Sequence, residues 1–395
     1  MSPVTTALAN YVQQAFTERN RFFEQFFLRE SDILATACRA MSERFLQGGR
    51  LLAFGKGAYA TDAQHVSVEF VHPVIVGKRA LPALDVSALP VTWLRALLRP
   101  EDMVMGFGPP EGDREIQSIL REAAERGAMT FSLPGNEGSY ALKAPARDAF
   151  IHQELLEILY HTLWETVHVF FEHRELGHDA GDAAFLYPFL GQQKQETRNI
   201  LEQVAGSIKA KVREDSRLRI QVADEQADRI LNAARSIAER VARGGKLILF
   251  GNGGSATDAN DWALDCVAPP HGYRPVPAIS LSFEPANITA LANDVGTEVI
   301  FLRQLIAHAA PSDVAIAIST SGGSKNVIAA LEEARKRGLL TIGLLGYDGG
   351  EIVRSRLADH ALIVPSDYIP RIQEVQASIY HTLRDLLEGI SNAGL

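Results

Sequence analysis

Cysteine is nearly missing: Cys38 and Cys266 are the only two in 395 residues. Two thiols cannot build a disulfide framework, and the count suits a reducing compartment, so a cytoplasmic location is expected. No stretch approaches 18 uninterrupted apolar residues, and no membrane-spanning helix is expected. The opening MSPVTTALANYVQQAFTERN lacks the basic start and apolar core of a secretory signal. An excess of positive charge is missing too: 39 Lys and Arg face 48 Asp and Glu, for a formal charge of −9. That argues against a nucleic-acid surface. The apolar share, 46%, is enough to bury a full core, and the length suits two or three domains.

What the chain does have is an internal repeat. FGKGAYATDAQHVSVEF (Phe54–Phe70) and FGNGGSATDANDWALDC (Phe250–Cys266) are one phrase written twice. Further pairs follow in the same order: ALPALDVSA (80–88) with PVPAISLSF (275–283), Asp102–Gly135 with Asp313–Gly346, and HQELLEILYHTLWETV (152–167) with IQEVQASIYHTLRDLL (372–387). A period near 196 residues is too long for a solenoid and fits a duplicated domain. GHDAGDAAFLYPFLGQQ (177–193) reads as the junction. In each half, short apolar runs such as KLILFG, VPAISLS, DVAIAIS, LLTIGLLG and HALIVP read as buried parallel strands. They alternate with helical segments such as KNVIAALEEARKRG, which makes each half an α/β sheet with right-handed crossovers. Ligands of such sheets sit at the carboxyl ends of the strands.

ISTSGGSKN (318–326) follows a strand and opens a helix. Ser319, Thr320, Ser321 and Ser324 offer hydroxyls beside the free N–H groups of a helix start, an anion cradle that needs no lysine. A Ser-rich N-cap turn would read the same way on its own. The first half has GFGPPEGDR (106–114) at this place, with two prolines that remove donors and two acids that repel an anion. It has also dropped about fifteen residues that include Asn293 and Asp294 in the second half.

His65 and Glu69 are four apart and share a helix face; Asp261 and Asp265 stand there in the second half. Gln153 and His161 recur as Gln373 and His381. A His–Glu–Gln–His set suits a divalent metal such as zinc, although a solvated helix face also carries His–Glu pairs. Eight residues of helix span about 12 Å, so a Gln and a His that far apart do not easily converge on one ligand.

From about Glu196 to Gly394 the chain resembles sugar isomerase (SIS) domains of the phosphoheptose isomerase type, on FGNGGSATDA, ITALANDVG, ISTSGGSKNVI, GLLGYDGG and RIQEVQASIYH. The first half resembles a divergent copy, on GKGAYATDAQH, GKRALPAL and the Gln153/His161 helix. The resemblance implies two tandem SIS domains, residues 1–185 and 194–395. Each would be a five-stranded parallel sheet flanked by helices, an α/β flavodoxin-like three-layer sandwich. It implies aldose–ketose isomerisation of sedoheptulose 7-phosphate through an enediol. Asn252, Gly253, Gly254 and Ser255 would line the sugar-phosphate pocket, with Gln373. Ser319, Thr320, Ser321 and Ser324 would hold the phosphate, and Asn293 and Asp294 the sugar. Glu69 or Asp265 would be the base and His161 or His381 the acid. Zinc would fall to His65, Glu69, Gln153 and His161. The family is tetrameric, so a fused pair would form a homodimer that mimics four domains; neither nucleic acid nor membrane is an expected partner. The chain departs from the family at Pro73 and Pro269, where an Arg is usual, and at Phe150 and Pro370, where an Asp is usual. Three arrangements stay open: a site shared by the halves, a second half working alone with Asp265, and a sugar-phosphate-binding regulator or adaptor without catalysis.

Overall fold

The computed structural model describes residues 3–73, 78–175 and 197–392. The expected junction at 177–193, and with it the division at 185 and 194, lies outside them. Two compact units form, Asn20–Ser216 and Met1–Arg19 with Arg217–Leu395. Each holds its own five-stranded sheet.

The first sheet comprises β1 (Leu51–Gly55), β2 (Ala83–Asp85), β3 (Met103–Phe107), β4 (Met129–Leu133) and β5 (Tyr140–Ala141), in the order β2-β1-β3-β4-β5. The second comprises β6 (Leu247–Gly251), β7 (Ala278–Ser280), β8 (Val314–Ser319), β9 (Leu340–Gly346) and β10 (His360–Val364), in the order β10-β9-β8-β6-β7. Every pairing is parallel. Central strands β1, β3, β4, β6, β8 and β9 are buried along their whole length, as expected of strands covered on both faces. Both orders place a topological switch beside the first strand, between β1 and β3 and between β6 and β8, where doubly wound sheets take their ligands.

The helices are α1 (Pro3–Leu46), α2 (Ala60–Val71), α3 (Pro90–Leu97), α4 (Arg114–Glu125), α5 (Ala149–Glu175), α6 (Thr197–Ala242), α7 (Gly254–Val267), α8 (Pro285–Asp294), α9 (Ile300–His308), α10 (Lys325–Lys336), α11 (Gly350–Arg354) and α12 (Ile369–Asn392). Where the first half has only α3, the second has α8 and α9. No helix among the described residues is long and apolar enough to cross a membrane.

The duplication extends to single atoms. Asp102 is buried before β3 and accepts hydrogen bonds from the backbone N–H of Arg50 (2.9 Å) and Arg99 (2.9 Å). Asp313, before β8, does the same for Lys246 (3.0 Å) and Ala310 (2.8 Å). The glycines that lead into β1 and β6 are equally constrained: a Cβ on Gly49 would lie 2.2 Å from the Glu101 carbonyl oxygen, and one on Gly245 2.2 Å from that of Ser312. Since the obstacle is backbone in both cases, Gly245→Ala is expected to cost about 1–3 kcal/mol, read by denaturant unfolding.

Candidate functional site

The loops after β6 and β8 lie side by side, because these strands pair with Gly251 opposite Ile318. Helix α10 starts at Lys325 behind Ser324, whose side chain makes no capping hydrogen bond. Ser319 Oγ accepts from Gly322 N (3.2 Å) and Ser321 Oγ from Gly323 N (3.2 Å), so two of the hydroxyls shape the loop. Asn252 and Asn326 exchange hydrogen bonds of 3.0 and 2.9 Å across the two loops. Gly253, with φ +56°, turns the chain into α7; Gly254 and Ser255 are buried in its first turn. Asn293 and Asp294 are exposed at the end of α8 and hydrogen-bond each other at 2.8 Å.

The serine loop is wedged by a second turn. Gly322 and Gly350 both adopt positive φ, and a Cβ on Gly322 would lie 2.1 Å from the Gly349 carbonyl oxygen. One on Gly350 would lie 2.3 Å from that of Ser321. The signal for this brace was the GYDGG phrase, quoted above only as a family mark. Asn326 was missed because its partner is 74 positions away.

At the equivalent place in the first unit, the helix start is already filled. Asp113 caps α4, its carboxylate accepting from the N–H groups of Glu115 (2.8 Å) and Ile116 (3.1 Å). Lys56, at the position of Asn252, pairs with Asp113 (3.2 Å) and Glu115 (2.9 Å). Burial raises the Asp113 carboxyl, but the Ile116 N–H and the Lys56 ammonium outweigh it and hold it below the ordinary aspartate range.

Titratable groups meet in both units. In the second, α7 carries Asp261 and Asp265 and α12 carries His381, all buried. His381 Nε2 lies 3.2 Å from Asp265 Oδ2 and 3.8 Å from Asp261 Oδ2. Tyr380 Oη donates to Asp261 Oδ2 at 2.9 Å. Burial pushes the Asp265 carboxyl up, and the nearby His381 and Arg384 offset this only in part. In the first unit, His65 Nε2 lies 3.8 Å from Glu69 Oε1, and the His65 and His161 rings stand edge to face with centroids 5.2 Å apart. Tyr160 Oη is 2.9 Å from His65 Nδ1. Gln153 and Gln373 are buried on α5 and α12. The two tyrosines were overlooked, although YHTL recurs within the same helix in both repeats.

Each trio can hold a cation: the ligand atoms of His65, Glu69 and His161 lie within 4.8 Å of one another, as do those of Asp261, Asp265 and His381. Two imidazoles and a carboxylate suit zinc; two carboxylates and an imidazole make a harder set.

Residues 212–346 match the family model described as SIS domain. A phosphoheptose isomerase of Solidesulfovibrio magneticus is 43% identical over 178 residues, 45% of this chain and 86% of that protein. The chain belongs to the SIS-domain family. A phosphoheptose isomerase of Nitratiruptor sp. is 49% identical over 144 residues, 36% of this chain and 76% of the relative. Among solved structures, the C-terminal domain of glucosamine-fructose-6-phosphate aminotransferase from Francisella tularensis covers 97% of this chain and 96% of its own length, with a TM-score of 0.63 at 9% identity. At that identity it is the fold that is shared, over nearly the whole chain.

Proposed function

We propose that the chain is a phosphosugar aldose–ketose isomerase of the sedoheptulose 7-phosphate isomerase type. The observation that carries the reading is the buried Asp265–His381 contact at 3.2 Å, in the unit whose helix α10 begins behind an uncapped serine loop. Similarity to phosphoheptose isomerases over about half the chain supports it.

The chemistry follows from these groups. Moving a carbonyl between C2 and C1 requires removal of a carbon-bound proton and passage through an enediol. The Asp265 carboxylate takes that proton, and the His381 imidazole moves the hydroxyl proton. Ser319, Thr320, Ser321 and Ser324, with the N–H groups of α10, hold the phosphate, whose binding orients the reacting carbons. Only ionised Asp265 accepts a proton, so turnover falls as pH drops through its pKa. Burial has raised that pKa, so the acid limb of kcat/KM is expected above the ordinary aspartate value of about 3.9. A limb at or below that value would remove Asp265 as the base.

Ser255 and Asp265 are ten residues apart on α7, about 15 Å along the helix axis. That is longer than the reach from phosphorus to the carbonyl carbons of a heptulose phosphate. The cradle of one chain therefore works with the carboxylate–imidazole pair of a second copy, in a homodimer. Mixing two inactive chains, Ser324→Asp and Asp265→Asn, tests this. Recovered turnover supports a site built across copies; no recovery returns cradle and pair to one chain.

Zinc, where bound, would be held by His65, Glu69 and His161, with Gln153 eight positions before His161 on α5, and would supply Lewis-acid stabilisation of an oxyanion. Metal analysis of the purified chain checks this set, and loss of zinc from His65→Ala is the expected result.

A further inference from the structure

Helix α7 carries Asp261 and Asp265 and ends at Val267, and the last carbonyls of a helix have no partner inside it. Arg384 reaches them from α12, three positions beyond His381. Its Nε donates to the Asp265 backbone carbonyl at 3.4 Å, and its Nη2 donates to the Arg274 carbonyl. Its Nη1 lies 3.6 Å from Glu388 Oε2, and the guanidinium stands 5.0 Å from the Tyr273 ring centroid. The side chain is fully buried. The segment between α7 and β7 is tied to the same helix on either side: Tyr273 Oη donates to Asp385 Oδ1 (2.6 Å), and Arg274 N and Nε donate to Glu388 (3.1 and 3.0 Å).

The first unit makes the same strap from other residues. Arg79 stands at the position of Arg274, and its carbonyl oxygen is 3.0 Å from His168 Nε2 of α5. Trp164 fills the position of Arg384. The strap thus recurs in both units, whereas a permanently charged guanidinium behind the carboxylate–imidazole pair belongs to the second. A buried guanidinium is a poor choice for mere packing, because its charge must be compensated.

We propose that Arg384 is a positioning residue for the Asp265–His381 pair. It fastens the end of α7 to α12, fixes the separation of carboxylate and imidazole, and sets a fixed positive charge behind them. This rests on the isomerase reading of that pair. The test compares the full chain with Arg384→Met, Arg384→Gln and Arg384→Lys on a panel of ketose phosphates. Arg384→Met is expected to lower kcat about tenfold to a hundredfold with KM changed less than about twofold, and Arg384→Lys to restore most of the loss. Should the Met variant not fold, Arg384→Gln, which keeps donors without charge, shows the same loss. An unchanged kcat, or a change confined to KM, overturns the proposal. If the wild-type chain turns over no sugar phosphate, the isomerase reading has failed, and the ring signals of His381 in NMR decide the positioning role. Signals displaced in the Met variant and returned in the Lys variant uphold it; signals unmoved in both overturn it.

Discussion

Ser324→Asp weakens binding of sugar phosphate and of inorganic phosphate by at least about a hundredfold while leaving the protein folded. The first unit already displays the substituted arrangement. Asp113 occupies the position of Ser324, and its carboxylate sits on the N–H groups of Glu115 and Ile116. An aspartate at 324 would compete for the N–H groups of Asn326 and Val327, the second of which now donates to Asn326 Oδ1 at 2.9 Å and is released to a phosphate when that side chain turns away. It would also set a negative charge beside a dianion. At 4 Å and an effective dielectric of 20, each charge of the dianion is repelled by about 4 kcal/mol, and the part that survives screening is worth at least about a hundredfold. The helix itself gains a cap that Ser324 does not provide, worth about 1 kcal/mol. The melting temperature should therefore hold or rise, which separates lost binding from lost structure. Calorimetric titration with inorganic phosphate reads the effect; affinity unchanged in Ser324→Asp would mean that α10 does not hold the phosphate.

The fold was legible because its signals are local. Runs such as LILFG and VAIAIS are uninterrupted and short, and they became β6 and β8. That the strands would pair in parallel followed from their alternation with helices. Helix length was not legible: α1 runs from Pro3 to Leu46 and α6 from Thr197 to Ala242. The sequence of their early turns mixes polar and apolar residues without a clear 3.6-residue stripe. At the site, Asp113 could be read as an acid that spoils a cradle, but its capping bonds depend on backbone geometry. Tyr380, Asn326 and Arg384 were not legible as site residues. Their partners Asp261, Asn252 and Asp265 lie 119, 74 and 119 positions away, and only folding brings such pairs together.

Asp265→Asn is expected to lower kcat by about a hundredfold to ten-thousandfold, the range for removing a general base. The substitution keeps the shape and can keep a hydrogen bond to His381, so the 3.2 Å contact survives while the ability to accept a proton is lost. KM should change little, because the phosphate grip lies at the start of α10 and Asp265 near the end of α7. Glu69→Gln is the matching change in the first unit and should leave turnover within a few-fold. The reason is physical: at the helix start of that unit the N–H groups of Glu115 and Ile116 are already taken by Asp113, which Lys56 pairs with. Steady-state kinetics of both variants on sedoheptulose 7-phosphate decide between the halves. If Glu69→Gln loses turnover and Asp265→Asn keeps it, the base belongs to the first unit, and Asp265 with His381 is then a buried structural pair.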